Sequence, residues 1–269
     1  MSKFKHLTNE EIQQMTFDWR YRGWTTLELL TEEEVDEINE ELEKLRQERI
    51  GTISPEGKAW GDWDPFAYPH KLSAKLEKLF CHPKVLEACE FLMEGNVVGM
   101  QSWVYFKPPG QLGRDQHQNA FYTGCGHNEI INTTIALDNH DPENGSVWVY
   151  EGSHRLPVLP IEVDEERAKT NPTFWRNERG KPCVMPEGHD FKKIPGYIRK
   201  GQVVLLHSHN IHGSEPNRSN RFRRSFLGGY LKEGANFNKG SHMKREPIDL
   251  HALVKKHWRA SDEVNYGGF

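Results

Sequence analysis

Short stretches rich in β-branched and aromatic residues follow one another through the second half of the chain, and turn-forming sequences separate them. The stretches read VVGMQSWVYFK, IINTTIALD, SVWVYEG, GQVVLLHSHNIHG and RRSFLGGYL, with PPG, DPENG and NRSN among the turns. Many short strands punctuated by Gly, Pro and Asn are typical of two packed antiparallel sheets, in a sandwich or a double-sheet jelly roll.

The first part of the chain has the pattern of helices. Thr8 with Glu11, and Thr31 with Glu34, match the capping box that begins a helix. After the second box, one helical face collects four apolar side chains, Val35, Ile38, Leu42 and Leu45. Residues 83–93 predict a third helix, which begins with a proline.

Helices first and strands afterwards predict an α+β, mainly β fold. We expect a double-stranded β-helix, the jelly-roll or cupin-like arrangement, with the N-terminal helices packed on one sheet. Residues 1–269 are expected to form a single domain, mainly helical over 1–96 and with its jelly-roll core over 97–235. A long polar insertion, 155–199, interrupts this core, and residues 236–269 form a C-terminal extension.

The composition argues against several classes of protein. A net charge of −4 gives no reason to expect a nucleic-acid partner. No apolar run approaches the roughly 20 residues that span a bilayer, and the first residues lack the apolar core of a signal peptide. The four cysteines have no CxxC spacing, so neither a zinc knot nor a disulfide framework is expected. We therefore expect a cytoplasmic protein without a nucleic-acid or membrane partner, and the oligomeric state stays open.

The segment RDQHQNAFY is the first candidate for chemistry. Iron that activates dioxygen is commonly held by two histidines and one carboxylate, which leaves further positions open. Since alternate residues of a strand point the same way, His117 and Asn119 are predicted to face the same interior. The third ligand must come from a distant strand. His212 is the candidate, although His207 and His209 stand close to it in the sequence.

Four motifs, in order, resemble the phytanoyl-CoA dioxygenase family of iron(II)/2-oxoglutarate oxygenases. FKPPG is similar to the end of a family strand, and HQNAFY is similar to the family segment with the HxD iron ligands. ALDNHDPENGSVWVYEGSH resembles the aspartate-rich turn and the PGSH sequence of the family. NIHGSEPNRSNRFRRSF resembles the late strand, in which a histidine opens HGS and an arginine follows eleven residues later, as Arg223 follows His212 here.

The resemblance implies a role for each matching residue. His117, Asn119 and His212 would hold Fe(II), while Arg223 and Ser214 would bind the distal carboxylate of 2-oxoglutarate. Arginine suits a carboxylate because its planar fork makes two charge-assisted hydrogen bonds. Four more residues are expected nearby, three along the cosubstrate pocket and the last against the substrate: Thr134, Tyr105, Trp103 and Gln101.

Asn119 departs from the family, which has aspartate at this position. An amide oxygen is neutral and is a weaker ligand than a carboxylate. Three alternatives stay open: the amide binds iron, it lies off the metal and leaves room for water or an anion, or the site is inactive. Asp115 and Glu129 are two carboxylates that could replace it, although their order and spacing differ from those of the family.

The predicted function is oxidation of a small molecule by iron(II), 2-oxoglutarate and dioxygen, through hydroxylation with release of succinate and carbon dioxide. The alternatives are a halogenase-type enzyme and a non-catalytic binding protein that keeps the pocket. Loop 51–70 and insertion 155–199 are predicted to enclose the substrate, because loops on a rigid scaffold usually carry specificity. The sequence leaves the substrate open, since its aromatic and basic residues suit a small polar anion and equally an acyl thioester.

Overall fold

A computed structural model describes residues 4–52, 61–161, 182–240 and 244–258. Its helices are α1 (Asn9–Tyr21), α2 (Glu32–Arg49), α3 (Ala74–Phe80), α4 (Pro83–Met93), α5 (Asn119–Thr123) and α6 (Leu250–His257), with 3-10 turns at Pro69–Lys71 and Ser153–Arg155. The three helices predicted from the sequence correspond to α1, α2 and α4. Within the described ranges, no helix is long and apolar enough to cross a membrane.

Local hydrogen bonds explain where the first two long helices begin. Thr8 Oγ1 accepts from the Glu11 N–H at 3.1 Å, and the Glu11 carboxylate accepts from the Thr8 N–H at 2.9 Å. Thr31 and Glu34 repeat the arrangement at 3.2 and 2.8 Å. Each box satisfies N–H groups that have no partner inside the helix. Both predicted capping boxes are therefore present.

The strands form two antiparallel sheets. They are β1 (Trp24–Glu28), β2 (Phe66–Ala67), β3 (Val97–Lys107), β4 (Arg114–His117), β5 (Ile130–Ala136), β6 (Val147–Tyr150), β7 (Lys193–Pro195), β8 (Gln202–His207), β9 (His212–Ser214) and β10 (Arg223–Lys232). The larger sheet has the order β1-β8-β5-β10-β3-β2, and the smaller has the order β4-β9-β6-β7. The predicted α+β architecture is confirmed.

The two faces of the larger sheet differ because side chains alternate along each strand. Val104 and Phe106 of β3, and Phe226 and Tyr230 of β10, belong to a hydrophobic core shared with the helices. From α1, α2, α3 and α4 this core receives, among others, Met15, Ile38, Leu79 and Met93. The residues between them along the same strands, such as Trp103, face the opposite side of the sheet and line a cavity there.

The N-terminal part is less purely helical than predicted. Strand β1 lies at the edge of the larger sheet, where Trp24 to Glu28 pair with β8. Its five residues, WTTLE, are too short to stand out beside two long helices. The four cysteines are free and buried, as expected from their spacing.

Candidate active site

A cavity of about 500 Å³ lies between the two sheets, lined by β3, β5 and β10 on one side and by β4, β6 and β9 on the other. The structure brings all the predicted site residues to its wall. They are Gln101, Trp103, Tyr105, His117, Asn119, Thr134, His212, Ser214 and Arg223.

His117 and His212 face each other because β4 and β9 align them in register. Their ring centroids lie 4.2 Å apart. In each ring, Nδ1 donates to the backbone carbonyl two residues earlier, Asp115 O at 2.8 Å and Asn210 O at 2.9 Å. A carbonyl only accepts, so Nδ1 carries the proton and Nε2 keeps a lone pair. Burial lowers the pKa of His212 to about 4 and holds the pKa of His117 well below its ordinary value, so both rings are neutral at pH 7.

Asn119 reaches the cavity in a different way from the prediction. Strand β4 ends at His117, and Asn119 is the first residue of α5, so the expected alternation along one strand was wrong. The pairing of β4 is already irregular between Arg114 and His117, and the chain then turns into a helix. The backbone carbonyl of Asn119 accepts from Thr123 Oγ1 at 3.2 Å. Its side chain takes no part in the hydrogen bonding of the described residues and lines the cavity.

Neither alternative carboxylate completes a metal site. Glu129 lies outside the cavity, where its carboxylate accepts from the Gly126 N–H at 2.6 Å. Asp115 lines the cavity. Among the described residues, however, no three His, Cys, Asp or Glu side chains are placed to hold a metal ion together. Asn119 lines the cavity two residues after His117.

The other histidines near His212 belong to a separate buried cluster. His127 lies with its ring centroid 4.5 Å from that of His207 and 5.0 Å from that of His209. The ring of His154 completes the cluster, 5.4 Å from His207. Of the three histidines in LLHSHNIHG, His212 is the one that lines the cavity.

Two buried cations, Arg223 and Lys107, lie beside each other where β10 and β3 pair them in register. Arg223 Nη1 donates to Ser225 Oγ at 3.1 Å, while its buried Nε has no hydrogen-bond partner among the described residues. Burial lowers the pKa of Arg223 to about 10, so the guanidinium stays charged at pH 7. In the described part of the chain, neither cation forms an ion pair with a carboxylate. Because an unpaired buried charge is costly, this end of the cavity is suited to an anion.

Lys107 is a site residue that the sequence reasoning missed, since it was interpreted only as the end of a strand. Its Nζ donates to Gly145 O at 3.2 Å, to Ser214 Oγ at 3.1 Å and to Glu215 O. Burial, and then the nearby charge of Arg223, lowers the pKa of Lys107 to about 7. The available signal was parity, because Lys107 lies on the same face of β3 as the predicted residues Gln101, Trp103 and Tyr105.

Ser214 is oriented by two donors. Its hydroxyl oxygen accepts from Lys107 Nζ and from the Arg114 N–H, both at 3.1 Å. A hydroxyl has one hydrogen of its own, which remains to donate to a ligand. The neighbouring Gly213 has no room for a side chain, because a Cβ there would lie 2.5 Å from the Trp148 ring. In the HGS sequence, His212 and Ser214 therefore flank Gly213, the residue at which β9 packs closely against Trp148 of β6.

A sequence model of the phytanoyl-CoA dioxygenase family matches residues 23–225. The chain belongs to this family. The recognition made from the four motifs is confirmed, and the predictions of an oxygenase that uses iron and 2-oxoglutarate are confirmed at the level of the family and its named relatives.

Curated relatives of this phytanoyl-CoA dioxygenase family member are distant. A probable alpha-ketoglutarate-dependent hypophosphite dioxygenase of Stutzerimonas stutzeri is 25% identical over 225 residues, 80% of this chain and 76% of that protein. The peroxisomal phytanoyl-CoA dioxygenase of Bos taurus is 25% identical over 160 residues, 55% of this chain. The latter match covers 44% of the relative, so the chain spans less than half of that enzyme.

Solved structures share the fold. The epimerase SnoN, in complex with Fe3+, alpha ketoglutarate and nogalamycin RO, has a TM-score of 0.69 at 17% identity, over 90% of this chain and 96% of that one. EctD from S. alaskensis, with 2-oxoglutarate and 5-hydroxyectoine, has a TM-score of 0.66 at 16% identity, over 88% of this chain and 80% of that one.

An aromatic wall connects the two ends of the cavity in this family member. Trp103 and Tyr105 of β3 stack with ring centroids 6.0 Å apart and planes at 26°. Beside them, Leu227 of β10 and Thr134 of β5 are paired in register. Between its two ends, the larger sheet therefore presents Trp103, Tyr105, Leu227 and Thr134 to the cavity.

The end opposite Arg223 includes a residue that sequence reasoning did not predict. Gln101 on β3 and Asn132 on β5 both pair with Gly229 of β10. Arg245, from the C-terminal extension, is buried and lines the cavity beside them. Its Nε donates to Gln101 Oε1 at 2.9 Å. No motif marks Arg245, so the sequence held no signal that could have identified it.

The predicted enclosing loops contribute less than expected. From loop 51–70, Pro65 lines the cavity. The described residues of the insertion, 155–161 and 182–199, do not line it, because β7 and its surroundings attach to the far edge of the smaller sheet. Residues 53–60 of the loop and residues 162–181 of the insertion lie outside the described residues. Instead, Gln111 and Leu112 come from the loop that precedes β4.

Proposed function

We propose that the chain oxidises a small molecule with dioxygen, iron(II) and 2-oxoglutarate, by hydroxylation with release of succinate and carbon dioxide. The observation that carries the proposal is the buried Arg223–Lys107 pair, which lacks a carboxylate partner in the described chain and lies in the same cavity as the paired histidines. Family membership and the names of the relatives support it.

The residues fit the metal. His117 and His212 are neutral and offer Nε2 lone pairs, and the amide oxygen of Asn119 offers a third donor. Iron(II), when bound, would supply the oxidising chemistry with dioxygen. The carbonyls of Asp115 and Asn210 would hold the imidazole rings in the ligating tautomer.

The cationic end fits the distal carboxylate of 2-oxoglutarate. Arg223 would donate from its Nε, which has no hydrogen-bond partner among the described residues, and Ser214 would donate its hydroxyl hydrogen. Lys107 would contribute charge while its three acceptors keep it in place. Trp103, Tyr105 and Thr134 would line the cosubstrate and exclude water, and Gln101 would contact the substrate.

We also propose the finer description of the fold, a double-stranded β-helix formed by the two sheets around the cavity. The antiparallel order of both sheets and the similarity to SnoN and EctD support it. The assignment of residues 1–269 to a single domain, and a cytoplasmic location, stay predictions. A small-molecule substrate agrees with the ligands that the names of these relatives give.

Replacing Arg223 by glutamine is expected to weaken 2-oxoglutarate binding by about 2 kcal/mol, or roughly thirtyfold, because charge-assisted hydrogen bonds to the carboxylate are lost. The measurement is the Kd for 2-oxoglutarate with anaerobic iron(II), together with succinate release in air. Arg221→Gln is the control, since Arg221 lies in the same basic run but forms a surface ion pair with Asp141. Equal affinities in the two variants would contradict the assignment of Arg223.

The affinity for 2-oxoglutarate is expected to fall as pH rises above about 7. The pKa of Lys107 is lowered to about 7, so the ammonium is charged below that pH and neutral above it. A carboxylate binds the charged form better, so the loss approaches tenfold per pH unit at most. Kd values from pH 6 to 9 test this, and Lys107→Met is expected to bind weakly with a flat profile. An unchanged slope in that variant would assign the titration to another group.

A further inference from the structure

The polar end formed by Gln101, Asn132 and Arg245 is too far from Arg223 to serve the same small ligand. Gln101 lies six positions from Lys107 on β3, and Gly229 lies six positions from Arg223 on β10. At about 3.3 Å per residue, the backbone positions that carry the two ends lie roughly 20 Å apart along the strands. Five carbons in a row span only about 6 Å. One molecule of 2-oxoglutarate at Arg223 therefore leaves the second end for another ligand.

Donor groups predominate at this second end. Arg245 Nε can only donate, so the Gln101 oxygen accepts that bond and the Gln101 NH₂ group remains as a donor. Asn132 Nδ2 is buried and has no hydrogen-bond partner among the described residues. Arg245 Nη1 donates to the carbonyls of Tyr122 at 3.0 Å and Asn238 at 2.8 Å, which fix the guanidinium plane. A fixed cation beside two amide donors is suited to bind an anionic group.

The charge of the cavity points to the same chemistry. Its described lining includes the basic residues Lys107, Arg114, Arg223 and Arg245 and one carboxylate, that of Asp115, although the chain as a whole has a net charge of −4. The candidate metal donors, His117, Asn119 and His212, include no carboxylate, so iron(II) would add two positive charges that this set of residues does not offset. The two negative charges of 2-oxoglutarate would offset those of the metal, and basic side chains still outnumber carboxylates in the described lining.

Gly229 leaves room for a ligand at this end. It stands between Gln101 and Asn132 on adjacent strands and presents no side chain to the cavity. A Cβ at Gly229 would lie 3.2 Å from Gln101 Cγ and 3.3 Å from Met100 Cε, tighter than an ordinary contact. Two positions further along the paired strands, Trp103 and Leu227 present apolar side chains to the cavity.

We propose that the substrate is a small molecule with a terminal oxyanion, a phosphonate or a carboxylate, whose charged group binds Arg245, Gln101 and Asn132. The proposal rests on the proposed function, because it assigns 2-oxoglutarate to the Arg223 end. Arg245 and Asn132 are then specificity-determining residues, which place the body of the substrate against the aromatic wall near His117 and His212.

The test uses the whole protein, anaerobic and saturated with iron(II) and 2-oxoglutarate, in calorimetric titrations with methylphosphonate and with isobutyrate. Methylphosphonate is compared with its neutral dimethyl ester and isobutyrate with its neutral methyl ester, so that each comparison removes the charge and keeps the rest of the molecule. We expect at least one anion to bind about tenfold or more tightly than its ester. Arg245→Gln is expected to weaken the binding of that anion at least about tenfold, while the Kd for 2-oxoglutarate stays unchanged. The comparison between the two anions distinguishes a phosphonate from a carboxylate.

Asn132→Leu provides a second variant, because its amide nitrogen has no partner among the described residues and its loss leaves the backbone pairing intact. Asn132→Leu is expected to weaken the binding of the same anion, whereas Arg221→Gln is expected to leave that binding unchanged. Binding of the esters as strong as that of the anions, or anion binding unaffected by both variants, would overturn the proposal. Failure of both anions to bind while 2-oxoglutarate binds would overturn it too. Failure of 2-oxoglutarate itself to bind would instead overturn the proposed function.

Discussion

His212→Ala is expected to weaken iron(II) binding at least about a hundredfold, since even residues that only support a metal ligand cost ten- to a hundredfold when removed. His212 is one of two imidazoles in the cavity, and its partner His117 lies 4.2 Å away between ring centroids. The remaining donors, one imidazole and one amide, form a weak site. The measurement is the iron(II) Kd by anaerobic titration against a competing chelator.

His209→Ala is the matched control. His209 is buried three positions earlier, but it packs against His127 and His207 outside the cavity. Its loss is expected to lower thermal stability and leave the iron(II) Kd within about twofold. Unchanged metal affinity in His212→Ala, or an equal loss in His209→Ala, would show that the cavity histidines are not the metal ligands.

The elements of this fold that the sequence predicted best have strong local signals. The capping boxes at Thr8 and Thr31 predicted two helix starts, because they depend on residues three positions apart. Strand β3 matches the predicted stretch over its whole length, Val97 to Lys107, since its β-branched and aromatic content is dense. In both cases the information lies within the segment itself.

Features that depend on distant partners were missed. Strand β1 exists because β8 offers it an edge, and nothing in WTTLE records this. The turn that takes Asn119 out of β4 and into α5 replaced the alternation that a local pattern predicts. Arg245 reaches the cavity through bonds to Gln101 and to the Tyr122 carbonyl, which lie more than a hundred residues away.

The predicted site residues line one cavity for another reason. The family resemblance carried long-range information, since the spacing from His212 to Arg223 reflects where β9 and β10 enter the cavity. Lys107 shows the limit of that route. It stood inside a recognised motif, yet its role depends on burial beside Arg223 and on acceptors contributed by Gly145 and Ser214.

Asn119→Asp is expected to tighten iron(II) binding about a hundredfold, because it adds a negative charge and a stronger oxygen donor to a set of neutral ligands. Asn119 lies two residues after His117, and its side chain lines the cavity. Because this side chain takes part in no hydrogen bond of the described residues, the exchange of NH₂ for oxygen breaks no such bond there. The measurement is the same chelator competition, with manganese(II) as a metal that does not react with dioxygen.

Gln116→Glu is the matched control for the added charge. Gln116 stands one residue before His117, outside the cavity lining, and donates to Cys183 O at 3.0 Å. A general electrostatic effect would tighten metal binding in both variants, whereas coordination at position 119 would tighten it only in Asn119→Asp. Unchanged affinity in Asn119→Asp would show that this position lies off the metal.

Turnover separates the remaining alternatives for Asn119. The proposed function requires that the natural chain itself release succinate from 2-oxoglutarate, with the amide oxygen as a sufficient ligand. If the natural chain is inactive and Asn119→Asp turns over, the chain is a binding protein that kept the cavity and lost a competent metal. Two results together would indicate a halogenase-type anion transfer instead: product formation that depends on chloride, and suppression of that product in Asn119→Asp. The aspartate would then occupy the position that the anion needs and would repel the anion.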